Sequence, residues 1–157
     1  MTLQGGQRLR PHVLELTFGV DRNVWALGDV HLTREGERTV WRLPSYLAPV
    51  TVGVFPLIEK AHAAYAQRLA GELAAHSLRV AYDDASSIGR RYARMDEAGT
   101  PFCVTVDATT VDEGPAHDTV TVRQRDSKQQ DRVPVAEVAA RLLPATRFPR
   151  PSPDGSG

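Results

Sequence analysis

Near the start of the chain, the residues best suited to chemistry are Glu15, Thr17 and Arg22, in the run PHVLELTFGVDR from Pro11 to Arg22. If this run begins as a strand, alternation sends Glu15 and Thr17 to the same side. A carboxylate beside a hydroxyl can hold a small ammonium group. Gly19 then permits a turn and a close backbone approach. Arg22, in the first turn of the helix that follows, offers a charge-assisted donor for a phosphate. The same residue types also occur at plain strand–helix turns, so the pattern alone leaves both readings open.

A second cluster lies in YDDASSIGRRYARMDEAGTPFCVTVD, from Tyr82 to Asp107. Asp83 and Asp84 close a strand, and Arg90, Arg91 and Arg94 open a helix. The free N–H groups of a helix N-terminus favour anions, and the arginines add cations. They equally suit a solvated face paired with Asp96, Glu97 or the two aspartates. A third group, Arg123, Arg125 and Lys128, belongs to a late strand pair. It can supply phosphate contacts while loop bases stack on flat side chains, or simply guard a strand edge against pairing. His62 and His76 share one helix without an evident carboxylate partner, and both read as surface residues. The single cysteine, Cys103, excludes an internal disulfide and argues against a thiolate metal site. Its apolar neighbours make it a small core residue, in keeping with a reducing cytoplasm. No metal site is expected.

These residues need elements to position them. Pro11–Phe18 reads as a short strand, and Val20–Leu32 as a helix with Val20, Val24, Leu27 and Val30 at helical spacing. Arg34–Arg38 reads as a polar turn and Thr39–Leu43 as a strand. Pro44 and Pro49 bracket a domain boundary. Beyond it come an apolar strand (Val50–Leu57), an alanine-rich amphipathic helix (Glu59–His76), a strand (Leu78–Tyr82), a helix (Ser86–Ala98) and a strand (Pro101–Val106). Two further strands (Asp118–Arg125, Gln129–Val135) and a helix from Val135 ended by Pro144 complete the order. Strands apolar throughout suit a parallel sheet buried on both faces, so the order implies a three-layer α/β domain. Pro144–Gly157 is rich in Pro, Ser and Gly and is expected to be a disordered tail.

Composition sets outer limits. At 157 residues, 41% hydrophobic and 24% charged, the chain can build a sizeable core. The formal net charge is zero, so any nucleic-acid partner has to meet a local basic patch. The start MTLQGGQRLR has no apolar core of a secretory signal, and no run approaches the length of a membrane helix.

Two stretches carry a family resemblance. Pro11–Arg22, continued by NVWALGD, resembles motif 3 of class II aminoacyl-tRNA synthetases in its glycyl-specific form. The resemblance implies that Arg22 meets the γ-phosphate of ATP, with Gly19, Val20 and Asp21 beside it, and that Glu15 and Thr17 hold glycine. Thr17 stands where the family has serine, and Leu16 where it has proline. SIGRRY, GTPFCVTVD and TVTVRQRDSKQQDRVPV resemble the anticodon-binding domain shared by glycyl-, threonyl-, prolyl- and histidyl-tRNA synthetases. That implies a five-stranded mixed sheet with three helices that reads an anticodon loop, with Arg90, Arg91, Arg94, Arg123, Arg125 and Lys128 as tRNA contacts.

The expected organisation is therefore a remnant of the catalytic domain (1–45), an anticodon-binding domain (46–143) and a tail (144–157). The parent enzyme joins glycine to tRNA-Gly with ATP and Mg2+, as a cytoplasmic homodimer. Motifs 1 and 2 are not found in the sequence. This chain alone is therefore expected to be monomeric, to need no cofactor and not to form glycyl adenylate. Met1–Leu43 is expected to be poorly ordered or prone to aggregation, because the motif 3 strand lacks its neighbours. The alternative is a stand-alone RNA-binding or accessory module.

Overall fold

The computed structural model describes residue 10 and residues 12–149. His12–Gly19 is not a strand and lies exposed, which corrects the expected strand over Pro11–Phe18; Pro11 itself lies outside the described residues. A strand is made by its ladder partners, and none pairs with it among the described residues. Helix α1 (Val20–His31) starts after Gly19, with Asp21 in its first turn and His31 in its last, both on the side the helix dipole favours. It passes without a loop into β1 (Leu32–Glu35), which pairs antiparallel with β2 (Arg38–Trp41). The hairpin turns at Gly36, whose φ of 62° suits glycine. The expected polar turn over Arg34–Arg38 is thus only a tip, since Arg34 pairs with Thr39 and Glu35 with Arg38. Val40 and Leu43 are buried, so this part of the stretch expected to be poorly ordered is folded against the rest; residues 1–9 lie outside the described residues.

The main sheet is built from β3 (Val52–Pro56), α2 (Glu59–Ala75), β4 (Val80–Tyr82), α3 (Ile88–Glu97), β5 (Phe102–Val106), α4 (Ala108–Val111), β6 (Thr119–Gln124), β7 (Gln130–Pro134) and α5 (Val135–Thr146). It is five-stranded and mixed, in the order β4-β3-β5-β6-β7. β4 and β5 flank β3 in parallel, while β6 and β7 run antiparallel. The α/β class and the sheet expected from the sequence are present. The one-turn helix α4 is not anticipated in the sequence reading, although Asp107 and Thr110 form a capping box there, a local signal for a helix start.

Alternation along the strands decides the two faces. On one face, Val52, Val54, Val104, Val106, Val120, Val122 and Val133 meet Ala66, Leu69 and Leu73 of α2 and Val138, Ala139 and Leu142 of α5. Each fully buried Val or Leu there is worth roughly 1.5–3 kcal/mol. The opposite face carries Gly53, Phe55, Cys103, Thr105, Thr121 and Arg123. Helix α3 covers its β3–β5 half. Tyr92 meets Phe55 edge-on at 5.3 Å. A Cβ on Gly53 would stand 3.0 Å from Phe55 Cζ and 3.1 Å from Met95 Cγ, so a larger residue there would have to push those side chains aside. The β6–β7 half of this face leaves Gln130, Arg132 and Pro134 less covered.

Helix α5 contains Pro144 and continues to Thr146, which corrects the expected end at that proline. A proline in the last turn removes a single ladder donor. Phe148 then stands edge-on to Tyr46 at 5.0 Å, so the tail begins later than expected; residues 150–157 lie outside the described residues.

Candidate nucleic-acid interface

The arginines singled out in the sequence divide by burial. Arg91, Arg123 and Arg125 are each 4% exposed. Arg91 donates through Nη1 to the Pro56 carbonyl (2.6 Å) and through Nη2 to those of Asp84 (2.6 Å) and Ser86 (2.8 Å), pinning the end of β3 to the β4–α3 loop. Arg123 forms a two-point pair with Asp96 and lies 4.8 Å above the Tyr92 ring. Arg125 donates to the carbonyls of Trp41 (3.0 Å), Gly99 (2.8 Å) and Leu43 (2.8 Å). These donors are spent inside the protein, which corrects the expectation that Arg91, Arg123 and Arg125 face RNA.

The remaining cations are at the surface. Arg94 pairs with Asp83 (Nη2–Oδ2 2.6 Å) and Lys128 with Glu35 (2.6 Å). Arg90 is exposed in the first turn of α3. The pairing of Arg94 with Asp83 is one of the alternatives that the residue types left open.

A groove of about 260 Å³ lies where α3 ends its cover of the sheet, lined by Leu57, Ile88, Tyr92, Thr105, Asp107, Thr121 and Gln130. Arg132, whose β7 register sets it opposite Thr121, stands beside it. Arg132 meets Asp107 at two points, Nη1–Oδ2 2.5 Å and Nη2–Oδ1 2.8 Å, and donates from Nε to Thr119 Oγ1 (2.8 Å). Asp107 also accepts the Thr110 N–H at 3.2 Å, which fixes it at the start of α4. Hydrogen bonds from Arg132 hold the Asp107 carboxyl below the usual carboxylate range, and the same contact raises the Arg132 guanidinium. The pair is ionised at neutral pH. Tyr92 shares a 2.7 Å hydrogen bond with Thr105, and burial pushes its phenol up. The groove thus sets an aromatic edge and two aliphatic side chains beside an acceptor and a donor. A flat heterocycle with polar edges suits those surroundings, since a carboxylate accepts from an exocyclic amine and a guanidinium donates to a ring carbonyl.

Asp107, Thr121, Gln130 and Arg132 are not among the residues singled out in the sequence. Strand alternation already puts Thr121 and Arg132 on shared faces, but which face stays open depends on where α3 packs. Glu15 and Thr17 lie on exposed chain, where Thr17 Oγ1 donates to Glu15 Oε1 at 3.2 Å. Gly19, Val20, Asp21 and Arg22 are exposed at the start of α1. His62 is 3% exposed, contrary to its reading as a surface residue. Its Nδ1 accepts the Ile58 N–H at 3.2 Å. That satisfies a donor that α2 leaves open at its N-terminus. Cys103 is buried as expected, and burial pushes its thiol up to about 12.

A family model described as the anticodon binding domain matches residues 50–144. The chain belongs to the anticodon binding domain family. Its matched stretch takes in the whole five-stranded sheet and the groove, while α1 and the β1–β2 hairpin precede it. The chain is also similar to the glycine–tRNA ligase of Methanococcus maripaludis strain C7, with 41% identity over 136 residues, 86% of this chain and 23% of the relative. The glycine–tRNA ligase of Thermococcus gammatolerans is 41% identical over 138 residues, 87% of this chain and 24% of the relative. The chain thus spans about a quarter of the curated relatives it matches. Among solved structures, the RNA binding domain of threonyl-tRNA synthetase from Cryptosporidium parvum superposes with a TM-score of 0.59 at 20% identity, covering 66% of this chain and 25% of that one. At that identity the likeness shows a shared fold. Among the described residues, no helix of this anticodon binding domain protein is long and apolar enough to cross a membrane.

Proposed function

We propose that the chain is the anticodon-reading part of a glycine–tRNA ligase and takes the anticodon loop of tRNA-Gly on the open β6–β7 half of the face that α3 covers only in part. The observation that carries the reading is the ionised Arg132–Asp107 pair beside the groove of Leu57, Ile88 and Tyr92. Splayed loop bases stack on such side chains and are told apart by the polar pair. Arg90, Arg94 and Lys128 are the surface candidates for phosphate contact. Arg94 and Lys128 are 42% and 48% exposed, so each can turn to a phosphate by releasing its carboxylate.

In the longer protein, Glu15 and Thr17 are proposed to hold the glycine ammonium, and Arg22, with Gly19, Val20 and Asp21, the γ-phosphate of ATP. Their side chains supply a single cation for a triphosphate, and all lie exposed. The described residues do not enclose ATP and Mg2+, so no step of glycine activation is assigned to them. A boundary between a catalytic remnant and the anticodon-binding domain near residue 45, a homodimeric cytoplasmic parent and a monomeric state for this chain belong to the same proposal.

The test is binding of the purified chain to tRNA-Gly transcripts carrying the natural or a scrambled anticodon, at two salt concentrations. A preference for the natural anticodon that survives the higher salt is expected. Weak binding that ignores the anticodon and vanishes with salt would reduce the interaction to non-specific charge contacts and sink the reading.

A further inference from the structure

The β1–β2 hairpin and the Pro44–Pro49 segment precede the stretch matched by the family model, yet both are bonded to the sheet domain. Arg125, just after β6, inserts its guanidinium between the carbonyls of Trp41, Leu43 and Gly99. Gly99 has φ +76°, and a Cβ there would stand 3.1 Å from both the Trp41 carbonyl and Leu43 Cδ1, so the hairpin's exit strand lies directly on the α3–β5 turn. Lys128, in the β6–β7 turn, adds its pair with Glu35 of β1. Arg79 donates to the carbonyls of Ala48 (3.1 Å) and Tyr46 (3.3 Å), tying down the segment that reads as a linker in the sequence.

The hairpin is joined in turn to α1. The Trp41 indole donates to the Leu27 carbonyl at 3.3 Å, and the Arg42 N–H to the His31 carbonyl at 2.8 Å. No loop residue separates α1 from β1. A continuous path of bonds therefore runs from the β6–β7 turn through Arg125 and Trp41 to the helix that carries Arg22.

We propose that Arg125 is a positioning residue: it fixes the hairpin to the sheet, and the hairpin sets where α1 stands relative to the open face. Its Nη1 bridges the Trp41 and Gly99 carbonyls, its Nη2 holds Leu43, and its Nε and Nη2 also meet the Asp126 carboxylate, a set of donors laid out by the planar fork. A lysine ammonium, with one nitrogen, cannot keep all of these contacts, and loses Leu43 or Asp126 if it takes the place of Nη1. The proposal rests on the RNA-binding reading only in the RNA arm of its test.

Spin labels on Asn23→Cys in α1 and Glu72→Cys in α2 report the distance between the two elements in the 157-residue chain. Cys103 is buried with a raised thiol pKa and does not compete for label. With Arg125 present, a narrow distance distribution is expected. Arg125→Lys should broaden it and lower hydrogen-exchange protection across the hairpin by about tenfold or more. The amides of Val104, Val120 and Val133 should keep their protection, and RNA affinity should not change. An unchanged narrow distribution would overturn the proposal, as would equal loss of protection in hairpin and sheet. Reduced RNA affinity with the distance kept would overturn it too, because Arg125 would then be an RNA contact. If the chain with Arg125 binds no RNA at all, the RNA-binding reading fails while the distance measurement still decides this one. If Arg125→Lys does not fold, Arg125→Gln decides: it withdraws the guanidinium fork, and an α1 distribution that stays narrow overturns the proposal.

Discussion

Arg123 and Asp96 meet beneath the sheet in a two-point ion pair, with Nη1 2.9 Å from Oδ1 and Nη2 3.2 Å from Oδ2. One comes from β6 and the other from the last turn of α3, so the pair ties the covering helix to the half of the sheet it does not cover. Removing one partner strands the other charge inside the protein. Asp96→Asn is expected to cost about 3–5 kcal/mol in urea unfolding. Replacing both, with Asp96→Leu and Arg123→Met, should recover most of that loss, because no buried charge remains unpaired. A single-mutant loss under about 1 kcal/mol, the scale of an exposed pair, would contradict this account.

Two glycines give opposite expectations. Gly99→Ala forces a side chain into the left-handed region and against the Trp41 carbonyl. Stability should then fall by at least about 1–2 kcal/mol. Gly71 lies within α2, with nothing within 4 Å of where a Cβ would stand. Gly71→Ala should raise stability by roughly 0.5–1 kcal/mol. Thermal unfolding of the two variants side by side checks both signs.

Strong acid should weaken the hairpin's tie to the β6–β7 turn. Hydrogen bonds from Lys128 and Arg42 lower the Glu35 carboxyl from 4.5 to about 2. A carboxyl depressed in the folded state contributes its full stabilisation above the unfolded value and loses it as pH falls through the folded one. The contribution is therefore complete above pH 4.5 and fades towards about 2. Glu35→Gln should flatten the pH dependence of the unfolding midpoint within that window. An identical acid profile for the two proteins would show that the contact does not act on stability.

Arg132 and Arg91 should separate recognition from folding. Arg132→Gln removes a surface donor beside the groove, and is expected to weaken anticodon-loop binding by about 1–3 kcal/mol and relax base preference. The fold, followed by circular dichroism, should persist. Arg91→Gln instead withdraws bonds to the carbonyls of Pro56 and Asp84, so its main effect should be on unfolding. Equal RNA affinities for Arg132→Gln and the unaltered chain would remove Arg132 from the interface.

The strands β3 and β5 and the helix α2 are legible in the sequence because their signals are local: apolar runs buried on both faces and an amphipathic period. β1 is not, because its ladder pairs charged residues, Glu35 with Arg38, and charge in sequence reads as a turn. The same limit explains the arginines. Residue type announces a cation, but Arg91, Arg123 and Arg125 are buried by carbonyls and a carboxylate contributed from distant positions, such as Leu43 for Arg125. His62 escapes a sequence reading for a similar reason, since its acceptor role depends on the backbone entering α2. Asp107 and Arg132 meet only once β5 and β7 are placed on either side of β6, a relation of sheet order that no local pattern contains.

The Arg125 insertion also decides where this fold can be cut and grafted. A transplant beginning at the prolines would leave behind Trp41 and Leu43, and with them two of the carbonyls that occupy a buried guanidinium. The transplanted piece would keep only the Gly99 carbonyl and Asp126 as partners of that guanidinium and would uncover the side that the hairpin shields. A transplant beginning before Leu32 carries its own acceptors along. The inheritable unit is therefore the sheet together with its hairpin, a larger block than the stretch from residue 50 to residue 144 that family likeness delimits.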